Sequence, residues 1–227
     1  MNIHILIVIL LIGITDGSKA CKGDWQLVFH AVSGNGESVL DTWKTKNTKC
    51  DMFSKNCPCS TTNGCLPQNL RLETLGVVPR KILRSPLIDY WDCLDVHQVK
   101  LELSTRGKTV AYIEFNGRGS NYMNWFHNSR ILKTSWTDMK KSGTYNFFSI
   151  DKETRYSRKF FINQKYGGCH VDSGWFVVSD VKGRKPCEWE KQKPYPQFLY
   201  SRYRKITKWG DKKYGKADVL NIYIRRG

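Results

Sequence analysis

Short runs of alternating apolar and polar residues, each closed by a Gly or Asn turn, restrict this chain to antiparallel β structure. Successive strand side chains point to opposite faces, so a period of two marks a half-buried strand. Trp25, Leu27, Phe29 and Ala31 alternate with Gln26, Val28, His30 and Val32, and Ser33-Gly34-Asn35-Gly36 ends the run. Val99, Leu101 and Leu103 alternate with Lys100 and Glu102, Arg106-Gly107-Lys108 turns the chain, and Val110 to Phe115 returns as a hairpin. Tyr145 to Ile150 and Lys159 to Ile162 form a second hairpin around a charged connection, Gly174 to Val178 reads as a strand between turns, and Val219 to Ile224 closes the chain. Val39, Leu40 and Trp43 fit either a short helix or a strand. No apolar period of 3.6 is sustained beyond about three turns, so helix is minor. The expectation is an all-β, antiparallel two-sheet sandwich of jelly-roll-like type, with the terminal strands as neighbours in one sheet.

Residues 1–20 read as a secretory signal peptide: a polar tip, an apolar run from Ile5 to Ile14, and the small residues Ser18 and Ala20 around a cleavage site. The run is too short for an ordinary membrane-spanning helix, and nothing later resembles a span. Residues 21–227 are then a single β-rich domain, secreted and extracellular. Its eight cysteines are Cys21, Cys50, Cys57, Cys59, Cys65, Cys93, Cys169 and Cys187. An even count in an oxidising compartment implies disulfides. Cys169 and Cys187 bracket the strand at Trp175 and are the favoured pair; the loop 50–65 holds four cysteines with little else to bury. Zinc is disfavoured, because the spacing Cys50-x6-Cys57-x-Cys59-x5-Cys65 lacks a paired C-x2-C or nearby histidines.

Catalysis finds little support. G-x-S-x-G and H-E-x-x-H are absent, and His30, His97, His127 and His170 are scattered, so a basic hydrolase would need at least two of them to converge. Gly117-Arg118-Gly119-Ser120 lacks the third glycine and the helix of a dinucleotide fingerprint and reads as a turn with Arg118 facing outward. No metal or cofactor is expected.

Eight tryptophans are the unusual feature of the composition. Each is either a core residue with its N–H bonded at the rim or a platform for a sugar ring, and Trp125 and Trp136, beside Asn124, His127, Asn128 and Arg130, are the candidates for a sugar site. Charge points more directly to a partner. The net charge is +17, and residues 182–227 hold 14 Lys and Arg against four Asp and Glu. Within them Arg202, Arg204, Lys205, Lys208, Lys212, Lys213 and Lys216 interleave with Tyr203, Trp209 and Tyr214. Outside the cell such a region fits acidic polysaccharides, acidic matrix proteins or mineral surfaces, and nucleic acid only as a lesser partner.

At Trp25-Gln26-Leu27-Val28-Phe29, Trp125-Phe126, Ser135-Trp136-Thr137-Asp138, Asn146-Phe147-Phe148-Ser149-Ile150, Arg158-Lys159-Phe160-Phe161-Ile162, Tyr166-Gly167-Gly168-Cys169 and Asp172-Ser173-Gly174-Trp175, the chain resembles a family of uncharacterised secreted proteins of marine invertebrates. These are similar to components of extracellular and shell-type organic matrices. The likeness covers most of residues 21–227, carries no catalytic residues, and implies a matrix setting. The expected function is therefore a non-catalytic extracellular or biomineral matrix protein that holds acidic polymers through residues 182–227. The alternatives are a lectin-like defence protein with a Trp-lined groove and, last, a basic secreted hydrolase.

Overall fold

A computed structural model of the chain describes residues 23–45 and 82–227. The expected signal peptide, Cys21, Cys50, Cys57, Cys59, Cys65 and the loop 50–65 lie outside the described residues.

The described residues form two antiparallel sheets of six strands each. Sheet 1 runs in the order β2 (Leu83–Arg84), β1 (Trp25–Val32), β12 (Val219–Arg226), β3 (Val96–Thr105), β4 (Lys108–Asn116), β5 (Ile131–Thr134). Sheet 2 runs β11 (Tyr214–Ala217), β9 (Gln197–Ser201), β8 (Ser173–Ser179), β7 (Arg158–Lys165), β6 (Phe147–Ser149), and β10 (Thr207–Lys208) pairs with β8 beyond the end of β9. The terminal strands are neighbours, Val32 opposite Val219 and Trp25 opposite Arg225. Connectivity departs from a jelly roll: β3 to β5 and β6 to β9 are meanders that stay within one sheet, where a jelly roll passes strands between sheets. Arg106 and Gly107, both at positive φ, turn β3 into β4 as the sequence predicts.

The sheets share one core. Val99, Leu101, Leu103, Ile113, Phe115, Leu220, Ile222 and Ile224 of sheet 1 meet Phe148, Phe160, Ile162, Trp175, Val178 and Phe198 of sheet 2. The undecided segment is a helix, α1 (Val39–Lys44), which buries Val39 and Trp43. It is capped from across the fold: Asp180 accepts hydrogen bonds from the backbone N–H of Val39 at 2.9 Å and Leu40 at 3.0 Å, two donors that a first helical turn leaves without partners.

The two sheets differ on their outer faces. Over sheet 2 lies a second apolar layer in which Phe161, Val177 and Leu199 pack with Trp189, Trp209, Tyr214 and Cys187. Every residue of β8 is consequently buried. Sheet 1 presents half-exposed residues outward: Trp25 and Leu27 on β1, Asn221, Tyr223 and Arg225 on β12, Gln98, Lys100 and Glu102 on β3, Tyr112 and Glu114 on β4.

The first strand corrects the sequence pattern. Alternation puts Trp25, Leu27, Phe29 and Ala31 on one face, but a bulge between Leu27 and Phe29, opposite Tyr223 and Ile222, inserts one residue. Phe29 and Ala31 remain in the core, Trp25 and Leu27 turn outward, and Gln26 turns inward, 4% exposed, with neither amide atom hydrogen-bonded.

Candidate functional site

The seven cations singled out in the sequence, Arg202, Arg204, Lys205, Lys208, Lys212, Lys213 and Lys216, are all exposed. Their clustering follows from strand register. Tyr214 lies opposite Ser201, and Thr207 and Lys208 lie opposite Gly174 and Ser173. The excursion 202–206 and the turn Trp209–Asp211 therefore sit at one end of sheet 2, with Lys216 two residues along β11. Trp209 and Tyr214 are buried in the layer over sheet 2, whereas Tyr203, between Arg202 and Arg204, stays exposed with the cations.

Among the described residues none of the seven has a carboxylate within salt-bridge distance, whereas Lys44, Arg84, Lys100, Lys182 and Lys191 each do. Lys216 donates to Gln192 Oε1 at 2.9 Å, and the Arg204 side chain reaches the Ser135 carbonyl. Residues 182–227 are thus not one basic surface. Lys182 is paired with Asp41 at 2.6 Å, Lys191 with Glu188 at 2.6 Å, and Lys185 is turned onto the Val181 carbonyl and the Tyr195 ring. Arg225 and Arg226 belong to sheet 1. The open cluster is 202–216.

Its scaffold is cross-linked. The expected disulfide Cys169–Cys187 is present, tying the loop after β7 to the segment before the turn Glu188–Glu190. Beneath it Arg158 of β7, 3% exposed, donates to Glu190 Oε1 at 2.8 Å, Glu190 Oε2 at 3.1 Å and Asp172 Oδ2 at 2.9 Å. The guanidinium also lies 4.7 Å from the Trp189 ring centroid and 5.1 Å from those of Tyr156 and Tyr166. Burial opposes its charge, but the hydrogen bonds and charge of Glu190 and the charge of Asp172 outweigh burial and raise its pKa. The Asp172 carbonyl accepts from Trp209 N–H at 3.0 Å, which joins this interior network to the basic turn.

The proposed sugar platforms are corrected. Trp125 is fully buried and Trp136 is 2% exposed. Trp125 Nε1 donates to the Tyr122 carbonyl at 3.0 Å and Trp136 Nε1 to the Ser201 carbonyl at 2.8 Å. Trp43, Phe115 and Phe126 surround the Trp125 ring. A sugar ring needs an open indole face, and neither residue offers one. Seven of the eight tryptophans are buried; Trp25, turned out by the bulge, is half-exposed.

The histidines do not converge. His30 bonds Asn221 at 2.8 Å, His127 bonds Ser129 at 2.7 Å, His97 bonds Arg118 at 3.1 Å, and His170 lies beside Cys169. Among the described residues no group of three His, Cys, Asp or Glu side chains could hold a metal ion, and no helix is long and apolar enough to cross a membrane.

Sequence reasoning missed a second feature. Two adjoining clefts open at one end of sheet 1, of about 640 and about 620 Å³, and share His97 and Arg118. Their residues come mostly from four strands, β3, β4, β5 and β12, with the segment 91–95 and the turn 117–121, so no local motif signals them; the turn itself was legible. Comparison with family models, curated proteins and solved structures gives no match.

Proposed function

We propose that the protein is a secreted, non-catalytic component of an extracellular or mineralised matrix that binds acidic polymers through Arg202, Arg204, Lys205, Lys208, Lys212, Lys213 and Lys216. The observation that carries this reading is that all seven cations are exposed and without carboxylate partners among the described residues, on a turn anchored by buried aromatics. Long-range attraction between such a cluster and a polyanion falls with ionic strength, with a screening length of about 8 Å at physiological salt.

Retention on an immobilised sulfated polysaccharide across a salt series tests it. The protein is expected to bind at low salt and elute as salt rises, and the triple variant Lys208→Ala, Lys212→Ala, Lys213→Ala to elute at clearly lower salt. No retention at low salt, or retention indifferent to salt, overturns the reading.

A further inference from the structure

The cleft of about 620 Å³ at the end of sheet 1 is lined by Gly23, His97, Gln98, Asn116, Arg118, Leu132, Arg225, Arg226 and Gly227, with no Asp or Glu side chain among them. Three of these residues form one cross-strand row on the outer face, Arg225 opposite Gln98 and Gln98 opposite Asn116, and Trp25 lies opposite Arg225 at the end of that row. The bulge in β1 brings Trp25 to that face, where the Arg225 guanidinium lies 5.2 Å from its ring centroid.

Arg118 is fixed at the boundary between the clefts. Its terminal nitrogen lies 3.1 Å from His97 Nδ1. A guanidinium has no acceptor, so Nδ1 accepts, the imidazole carries its proton on Nε2, and that N–H faces Asp95 Oδ2 at 3.3 Å. The turn bearing Arg118 is held from below by Arg130, which donates to the carbonyls of Asn116, Arg118 and Gly119. Neither Arg118 nor Arg225 is ion-paired among the described residues. The neighbouring cleft, of about 640 Å³, presents the carboxylates of Asp92 and Asp95 with Ser120, Asn121 and Asn124, which suits it to hydroxyls rather than to the oxyanion.

We infer that the paired clefts bind an acidic saccharide. Its carboxylate or sulfate would lie between Arg118 and Arg225 with the amides of Gln98 and Asn116, and its neutral hydroxyls would meet Asp92, Asn121 and Asn124. Fork-shaped guanidinium donors suit planar or tetrahedral oxyanions, amides and carboxylates suit hydroxyls, and the volumes lie within the range of small-ligand sites. This site is on the opposite sheet from the lysine cluster and does not depend on it.

Calorimetric titration of the full chain with three short oligosaccharides, one bearing uronate carboxylates, one sulfated and one neutral, tests the inference. At least one acidic oligosaccharide binds, the neutral one binds much more weakly, and the stronger acidic arm identifies the oxyanion. Leu132→Glu places a carboxylate on the exposed rim without touching the core, and Arg118→Ala removes a donor. Each weakens acidic binding about tenfold or more. Absence of binding by both acidic oligosaccharides, or unchanged affinity in Leu132→Glu, overturns it. Loss confined to the triple lysine variant also overturns it and assigns the ligand to the other surface. Short oligosaccharides keep this result separate from polymer retention on the column.

Discussion

Arg158 and Glu190 form a two-pronged ion pair inside the protein, Nε to Oε1 at 2.8 Å and Nη2 to Oε2 at 3.1 Å, beneath the Trp189 ring. The pair joins β7 to the segment that closes over sheet 2, so it fixes the layer on which the lysine cluster is mounted.

Removing one partner leaves the other charged and buried. Arg158→Met strands two buried carboxylates, Glu190 and Asp172, and is expected to destabilise the protein by about 3–5 kcal/mol, while combining it with apolar replacement of Glu190 and with Asp172→Asn costs much less. Urea unfolding of the single and triple variants measures both.

Glu153 gives the fold an acid-sensitive element. Burial would raise its pKa, but hydrogen bonds from Tyr166 O–H and from the backbone N–H of Arg155 and Tyr156, with the charge of Arg158, bring it below its ordinary value of 4.5. The unfolded chain then binds this proton more readily, so the stabilisation is complete above 4.5 and disappears as pH falls through the lower folded value. Tyr166→Phe removes one of those bonds, and its stability should decline less steeply than wild type below that pH in thermal melts.

The disulfide Cys169–Cys187 closes a loop with a sequence separation of 18. Replacing both cysteines with Ala should cost about 3 kcal/mol by chain-entropy arguments. For a chain of this size that corresponds to a melting point lower by roughly 6–12 °C. Calorimetry checks it, and salt-dependent retention of the variant below its melting point reports whether the bridge also positions the lysines.

Trp125 and Trp136 act as packing residues. Ala at either position is expected to cost about 3–5 kcal/mol, read as a lower urea midpoint. Trp125→Phe should fold and leave retention on acidic polymer unchanged.

Gln26 is buried with its amide unpartnered. An unsatisfied buried polar side chain costs about 1–3 kcal/mol, so Gln26→Met should stabilise the protein within that range, measured by equilibrium unfolding.

Alternation and turn residues determined most of the strands: the β3–β4 hairpin, the pairing of β6 with β7, the union of the terminal strands and the Cys169–Cys187 bridge follow from local period and spacing. The exposure of the seven cations was legible too, because unpaired Lys and Arg side chains stay in water, while Trp209 and Tyr214 turn inward beside them and Tyr203 does not. Tertiary structure alone decided the rest. One inserted residue at the bulge reversed the facing of Trp25 and Gln26, since a shift of one position exchanges the two faces of a strand. Register across sheet 1 gathered Arg225, Gln98 and Asn116, residues far apart in sequence, into one row beside Arg118. The second layer over sheet 2 buried both faces of β8 and took up Trp189 and Trp209, while the core between the sheets took up Trp43, Trp91, Trp125, Trp136 and Trp175.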